Sequence, residues 1–401
     1  MNSGRKGIAL AIALGVLFMG VLLAIVALVP VDAAADYTTT EDLLNEAFKF
    51  LKDLGIWFML MLVAFLMIFI KKYEWGVCLA VLLSAASSYI VYAAIQQFVF
   101  GAEWNQDLLI RAVLCAIALV IAIGVFLGTV KQWHYLVIGA CFAVVYTTTE
   151  WLVGNLELFG ALTTDPGGSI MVHMCAAYFG LGVCIALRAK EAFEEPMYTT
   201  THSVSFVWLA SMLLWVFWPT FVCALLPMED FMWGMMTCYM SGVGSILSAY
   251  AVCMIMQKKV NPLTYTYAML AGPVAIGAPL IIIGPWAALF LGIFAGAVSA
   301  FCFIWLQPRL CKKLGVLDVM GVHNLHGVAG WIGAISCALF LAAEGNFGGA
   351  GANVCLAAIT FAIALVGGLV TGFIIKLIMG KPMEMFSDDY DFIKSEAPKE
   401  Q

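Results

Sequence analysis

Two short stretches of this chain place a carboxylate, glycine and an imidazole in the same order: Asp165-Pro-Gly-Gly-Ser-Ile-Met-Val-His173 and Asp318-Val-Met-Gly-Val-His323. An aspartate at a helix start caps free backbone amides and faces the positive end of the helix dipole. The glycines let neighbouring backbones approach closely. A histidine one or two turns further in can both donate and accept hydrogen bonds, and two such rings can fix each other's tautomer. On this reading His173 pairs with His323, and the two rings offer hydrogen bonds to a small polar solute. The plainer alternative is that they only join helices. Of the five histidines, His134 and His202 fall at junctions between apolar blocks. His326, three residues beyond His323, reads as a packing group.

The elements that must carry these motifs follow from composition. The chain has 401 residues, of which 64% are hydrophobic and 11% charged, with a mean hydropathy of +1.00. That excludes a soluble globule, which needs more charge for its surface, and a disordered chain, which has less apolar mass. The apolar blocks are continuous over about 20 residues, the length of a membrane-crossing helix rather than of an alternating barrel strand. The fold class is therefore an all-α polytopic membrane protein. A net charge of −6 builds no basic stripe for nucleic acid. The twelve cysteines are spread through apolar blocks, as at Cys115, Cys184 and Cys253, where they act as small hydrophobes. No metal-ligand spacing, phosphate loop or dinucleotide fingerprint is present, so no cofactor and no enzyme activity are expected.

Apolar blocks bounded by charge or turn residues lie at 7–29, 54–70, 75–100, 108–129, 133–153, 168–187, 204–226, 231–256, 266–283, 286–305, 323–343 and 354–379. Basic residues gather at every second junction, with Lys71 and Lys72, Lys131, Arg188, Lys258 and Lys259, Lys312 and Lys313, and Lys381. The junctions between them carry Glu103, Glu157, Glu229 or Glu344. The excess of positive charge on one side places the carboxyl terminus in the cytoplasm. Lys49, Lys52 and Arg111 run against the pattern. Residues 1–35 read as a membrane helix or a signal peptide, 36–53 as an extracellular linker, 54–380 as the transmembrane domain and 381–401 as a cytoplasmic tail. By the charge map the Asp165 helix and the Asp318 helix run in opposite directions. Eleven core helices with an inverted five-plus-five repeat result, and such repeats hold their substrate path near mid-membrane at the repeat interface.

The runs Gly167-Gly-Ser-Ile-Met-Val-His173, Ala177-Tyr-Phe-Gly180, Trp215-Val-Phe-Trp-Pro-Thr-Phe221, Leu270-Ala-Gly-Pro-Val-Ala-Ile-Gly277 and Gly321-Val-His-Asn-Leu-His-Gly327 together resemble the ammonium transporter/Rhesus glycoprotein family, more closely its Rhesus branch. The resemblance extends over about residues 54–380. It implies a homotrimer in the cell membrane with one conduction path in each subunit. It assigns the paired pore histidines to His173 and His323, a structural and substrate-admitting role to Asp165, with Asp318 as its counterpart, and an aromatic gate to Phe221. Leu114 stands where the family commonly has a second gate phenylalanine. Ile110 and Leu225 stand where microbial members hold the cation between aromatic groups and a hydroxyl, and neither side chain supplies a cation–π face. Glu150 could draw cations to the mouth, or be a solvated helix end.

A bare cation in an apolar channel costs tens of kcal/mol unless the wall replaces its water, and the chain offers no ring of carboxylates to do so. The expected function is transport in which ammonium loses its proton at the outer vestibule and ammonia crosses between His173 and His323. Carbon dioxide or methylamine conduction on the same scaffold, or a role as an ammonium sensor or structural membrane subunit, are the alternatives. No sequence signal identifies a cytoplasmic regulator.

Overall fold

The computed structural model describes residues 39–189, 197, 199–380 and 384–392. The block at 7–29, the alternative of a signal peptide, and the ends of the tail lie outside the described residues. The chain divides into two units, Met1–Asn45 and Glu46–Gln401. In the first, the Asp42 amide donates to Thr39 Oγ1 at 3.1 Å and the Thr39 amide donates back to the Asp42 carboxylate at 3.1 Å. That reciprocal bond caps a helix start.

Ten helices among the described residues are long and apolar enough to cross a membrane. They are α1 (Thr40–Met67), α2 (Trp75–Phe98), α3 (Gln106–Ile123), α4 (His134–Asn155), α5 (Ser169–Leu187), α6 (Thr201–Val222), α7 (Met228–Gln257), α10 (Pro285–Leu314), α11 (His323–Ala343) and α12 (Phe347–Ile378). Between α7 and α10 lie two short pieces, α8 (Pro262–Ala268) and α9 (Ala271–Ala275). Helix α1 begins at Thr40 rather than near residue 54, so the segment expected as a linker is largely helical.

Two expected spans are shorter or broken, and the breaks position the site. The block at 108–129 is helical only to Ile123, and turns follow through Gly128, whose φ of +72° suits glycine. The block at 266–283 is split into α8, α9 and turns, because Pro273 and Pro279 cannot donate amides to a continuous helix. These irregular segments are in corresponding places of the two halves, and each ties to the helix start of the other half. The Gly167 amide donates to the Gly277 carbonyl at 2.8 Å, while Val319 and Met320 donate to the Val125 and Gly124 carbonyls at 2.9 and 3.1 Å. A Cβ at Gly277 would come within 2.8 Å of the Gly167 carbonyl oxygen, so the first tie needs glycine. The inverted repeat is visible in the packing too: α2 lies against α4 as α7 lies against α10. Helix α12 runs along α5 and α11.

The tail segment 384–392 returns to the bundle. Asp388 accepts the Glu74 and Trp75 amides at 3.1 Å each and the Gly76 amide at 2.7 Å, capping α2. The Phe386 amide donates to Gly128 at 3.0 Å.

Candidate conduction site

Each aspartate organises a helix start. Asp165 is buried, and its Oδ2 accepts the Ile170 amide at 2.9 Å and the Met171 amide at 2.7 Å. Gly168, at φ +79°, makes the left-handed turn that sends the chain into the membrane. Ser169 Oγ donates to the Val274 carbonyl at 2.7 Å and accepts the Ala278 amide at 2.9 Å, locking the turn to the broken segment. Asp318 repeats the device: Oδ1 accepts the Val322 amide at 2.8 Å and Oδ2 the His323 amide at 3.2 Å. Both helices then open with a wide π turn, Ser169–Met174 and His323–Gly327. Such turns are uncommon and cluster at functional positions.

The two π turns meet, and what they bring together corrects the expected pair. His173 faces His326, not His323. The two Nδ1 atoms are 3.1 Å apart, and the rings stack with centroids 5.1 Å apart at an interplanar angle of 23°. His323 lies instead against Tyr178, edge to face at 5.7 Å. The reason is positional. The His323 amide is spent on Asp318 at the very start of the helix, so its ring emerges before the helix crosses α5; three residues later His326 emerges at the crossing. A signal for this was present in the spacing, since Asp165 to His173 and Asp318 to His326 are both steps of eight residues.

Phe221 and Trp218 frame the pair. The Phe221 ring meets His173 edge to face at 5.6 Å and an interplanar angle of 71°, and the Trp218 ring lies nearly parallel to it at 5.9 Å. On one side of Phe221 is a small pocket lined by Leu114, Gly168, Met171, Val172 and Leu225. Phe221 also lines an apolar cavity with Met59, Val63, Ile117, Ile121, Leu214, Leu325 and His326, among others. Phe221 belongs to both linings. Leu114 lines the small pocket together with Phe221. Trp218, which no sequence argument singled out, has a buried Nε1 with no hydrogen-bond partner among the described residues, and so does His173 at Nε2.

A family model described as Ammonium Transporter Family matches residues 13–391. The chain belongs to the ammonium transporter family. It is 32% identical over 329 residues to the ammonium transporter Rh type A of Bos taurus, covering 78% of this chain and 75% of that one. To the Rh type A transporter of Mus musculus it is 31% identical over 353 residues, covering 84% and 78%. The solved structure of Nitrosomonas europaea Rh50, described with the mechanism of conduction by the Rhesus protein family of channels, superposes with a TM-score of 0.81. There the identity is 31%, over 90% of this chain and 95% of that one. The kinship is thus with the Rhesus type, and a transporter of this family is not an enzyme.

Glu150 plays neither role expected of it in this ammonium transporter. It is 9% exposed, and its Oε1 accepts Arg111 Nη1 at 3.0 Å while Oε2 accepts the Tyr92 hydroxyl and Gln96 Nε2. A carboxylate paired in this way is neutralised and held between α2, α3 and α4. Arg111, one of the basic residues on the wrong side of the charge map, is explained by the same pair. Ile110 is buried, and Leu225 lines the small pocket without supplying an aromatic face.

Proposed function

We propose that this ammonium transporter conducts ammonia through each subunit, past Phe221 and between His173 and His326 into the apolar cavity. The observation that carries the reading is the imidazole pair itself: His326 lines the apolar cavity, and His173 packs on Phe221, the residue that the cavity shares with the small pocket read here as the mouth. An Nδ1-to-Nδ1 hydrogen bond needs one proton between the rings: one donates and the other accepts, and two imidazolium rings would lose the bond and repel. The bond thus excludes a doubly charged pair, and the apolar surroundings disfavour a single charge on it, so the pair offers polar contacts in its neutral form. His173 Nε2 accepts from a passing solute when His173 donates at Nδ1, and donates to it in the other tautomer.

The cavity supports the exclusion of ions. Its wall is side-chain hydrocarbon and sulfur, with polar atoms only at His326, Trp218 and Tyr267, and the Tyr267 hydroxyl already donates to the Leu66 carbonyl. Ammonium entering this space would lose its water without replacement, a cost of tens of kcal/mol by Born solvation. Ammonia has no such penalty. The proton passes to bulk water at the mouth, on the Asp165 side of Phe221, so that ammonia alone goes on. Asp165 and Asp318 hold the two helix starts, while Leu114 and Phe221 form the gate.

In this reading the transporter is a multi-pass cell-membrane protein, assembled as a homotrimer, with the Asp165 end outside and the carboxyl terminus in the cytoplasm. Residues 54–380 act as the transport domain and 381–401 as a cytoplasmic tail. The alternation of basic and acidic junctions supports the orientation.

The test is reconstitution in proteoliposomes, with internal pH and membrane current recorded after pulses of ammonium, methylammonium or carbon dioxide. Rapid internal alkalinisation with ammonium and no accompanying current is expected. A substrate-dependent current would replace neutral conduction by charge transport, and no ammonium response above empty vesicles would end the reading.

A further inference from the structure

Lys52 is 6% exposed, yet it forms no ion pair among the described residues; the nearby Lys49 takes Asp107 at 2.9 Å and Glu46 at 3.3 Å. Its ammonium has other company. Nζ donates to the Leu226 carbonyl at 3.0 Å and stands 4.7 Å from the centroid of the Phe48 ring and 6.0 Å from that of Phe231. Those two rings meet edge to face at 4.8 Å. Three elements build the enclosure: Phe48 one turn before Lys52 on the same face of α1, the turn after α6, and the first turn of α7. Leu226 follows Leu225, which lines the mouth pocket with Phe221 and Leu114.

A carbonyl oxygen and aromatic faces are the groups that hold an alkylammonium ion out of water. A lysine side chain is itself an alkylammonium on an apolar stem. We propose that the enclosure of Phe48, Phe231 and the Leu226 carbonyl is an ammonium-ion recognition site beside the mouth, kept filled by the chain's own Lys52. The resident charge repels a second cation at the mouth and occupies the groups that would bind it. The transporter therefore takes ammonium with low affinity, although it carries aromatic residues able to recognise it. This inference rests on the transport reading above, in which the mouth beside Leu225 receives ammonium.

Two measurements test it. Purified wild type and Lys52→Ala are heated in methylammonium chloride or in sodium chloride of equal ionic strength. Methylammonium should raise the midpoint of Lys52→Ala by about 2 °C or more and leave wild type unmoved, because a vacated enclosure binds the ion in the folded state only. A lysine that merely braces α1 would lower the midpoint equally in both salts, and equal shifts in both proteins overturn the proposal. In proteoliposomes, Lys52→Ala should lower the ammonium concentration for half-maximal flux by about 3- to 10-fold, with Lys52→Arg close to wild type. An unchanged half-saturation in Lys52→Ala, with wild type transporting, also overturns it. Absence of wild-type flux would count against the transport reading alone, since the thermal comparison reads the enclosure independently. Lys52→Ser carries the same outcomes where the alanine variant does not fold.

Discussion

His173 and His326 touch through their Nδ1 atoms, 3.1 Å apart, from helices that start at opposite ends of the bundle. This contact joins the two halves of the fold beside Phe221, and His326 lines the apolar cavity. His323, only three residues away, has no part in that bond.

The histidines can be separated by substitution. His173→Ala or His326→Ala should cut ammonia flux by about tenfold or more, the kinetic equivalent of about 1.4 kcal/mol. His323→Ala should stay within about twofold of wild type, because its ring packs on Tyr178. Stopped-flow internal pH in vesicles of matched protein content decides it. Loss of flux with His323→Ala and retention with His326→Ala would reverse the assignment.

Asp165 binds two amides in a buried site. Asp165→Ala should orphan both donors at a cost of about 1–3 kcal/mol each, and Asp165→Asn, which keeps one acceptor oxygen, should recover part of it. Thermal unfolding in detergent measures the loss. A fully stable alanine variant would contradict the capping role.

The gate predicts opposite effects from its two sides. Leu114→Phe should narrow the mouth pocket and slow ammonia flux several-fold. Phe221→Ala should join the two cavities and admit water, so proton leak measured with a pH dye under a potassium-clamped membrane potential should rise. Unchanged leak in a folded Phe221→Ala variant would remove Phe221 as the barrier.

Asp388 caps α2 from more than 300 residues away in sequence. Asp388→Ala should cost about 0.5–2 kcal/mol, as lost helix caps do. The change should appear as faster hydrogen exchange at the amides of residues 74–76. Unaltered exchange there would mean that the cap contributes no local stability.

Sequence alone determined the solvent this protein folds in, the approximate spans, the aspartate-led helix starts and the relation between the two halves. Those properties are written in composition and in local order: apolar length, charge at the junctions, and a carboxylate just before free amides. Which imidazole meets His173 was decided only in three dimensions, because that depends on where two π turns cross over a separation of 153 residues. Periodicity reports the face of one helix and says nothing about the distance to another. The same limit applies to Glu150, whose charge is cancelled by an arginine on a neighbouring helix, and to Trp218, whose ring gains a role only when His173 lies beside it. The break at Pro273 and Pro279 was legible as residues but not as a site, since the helix starts that use it come from the other half of the chain.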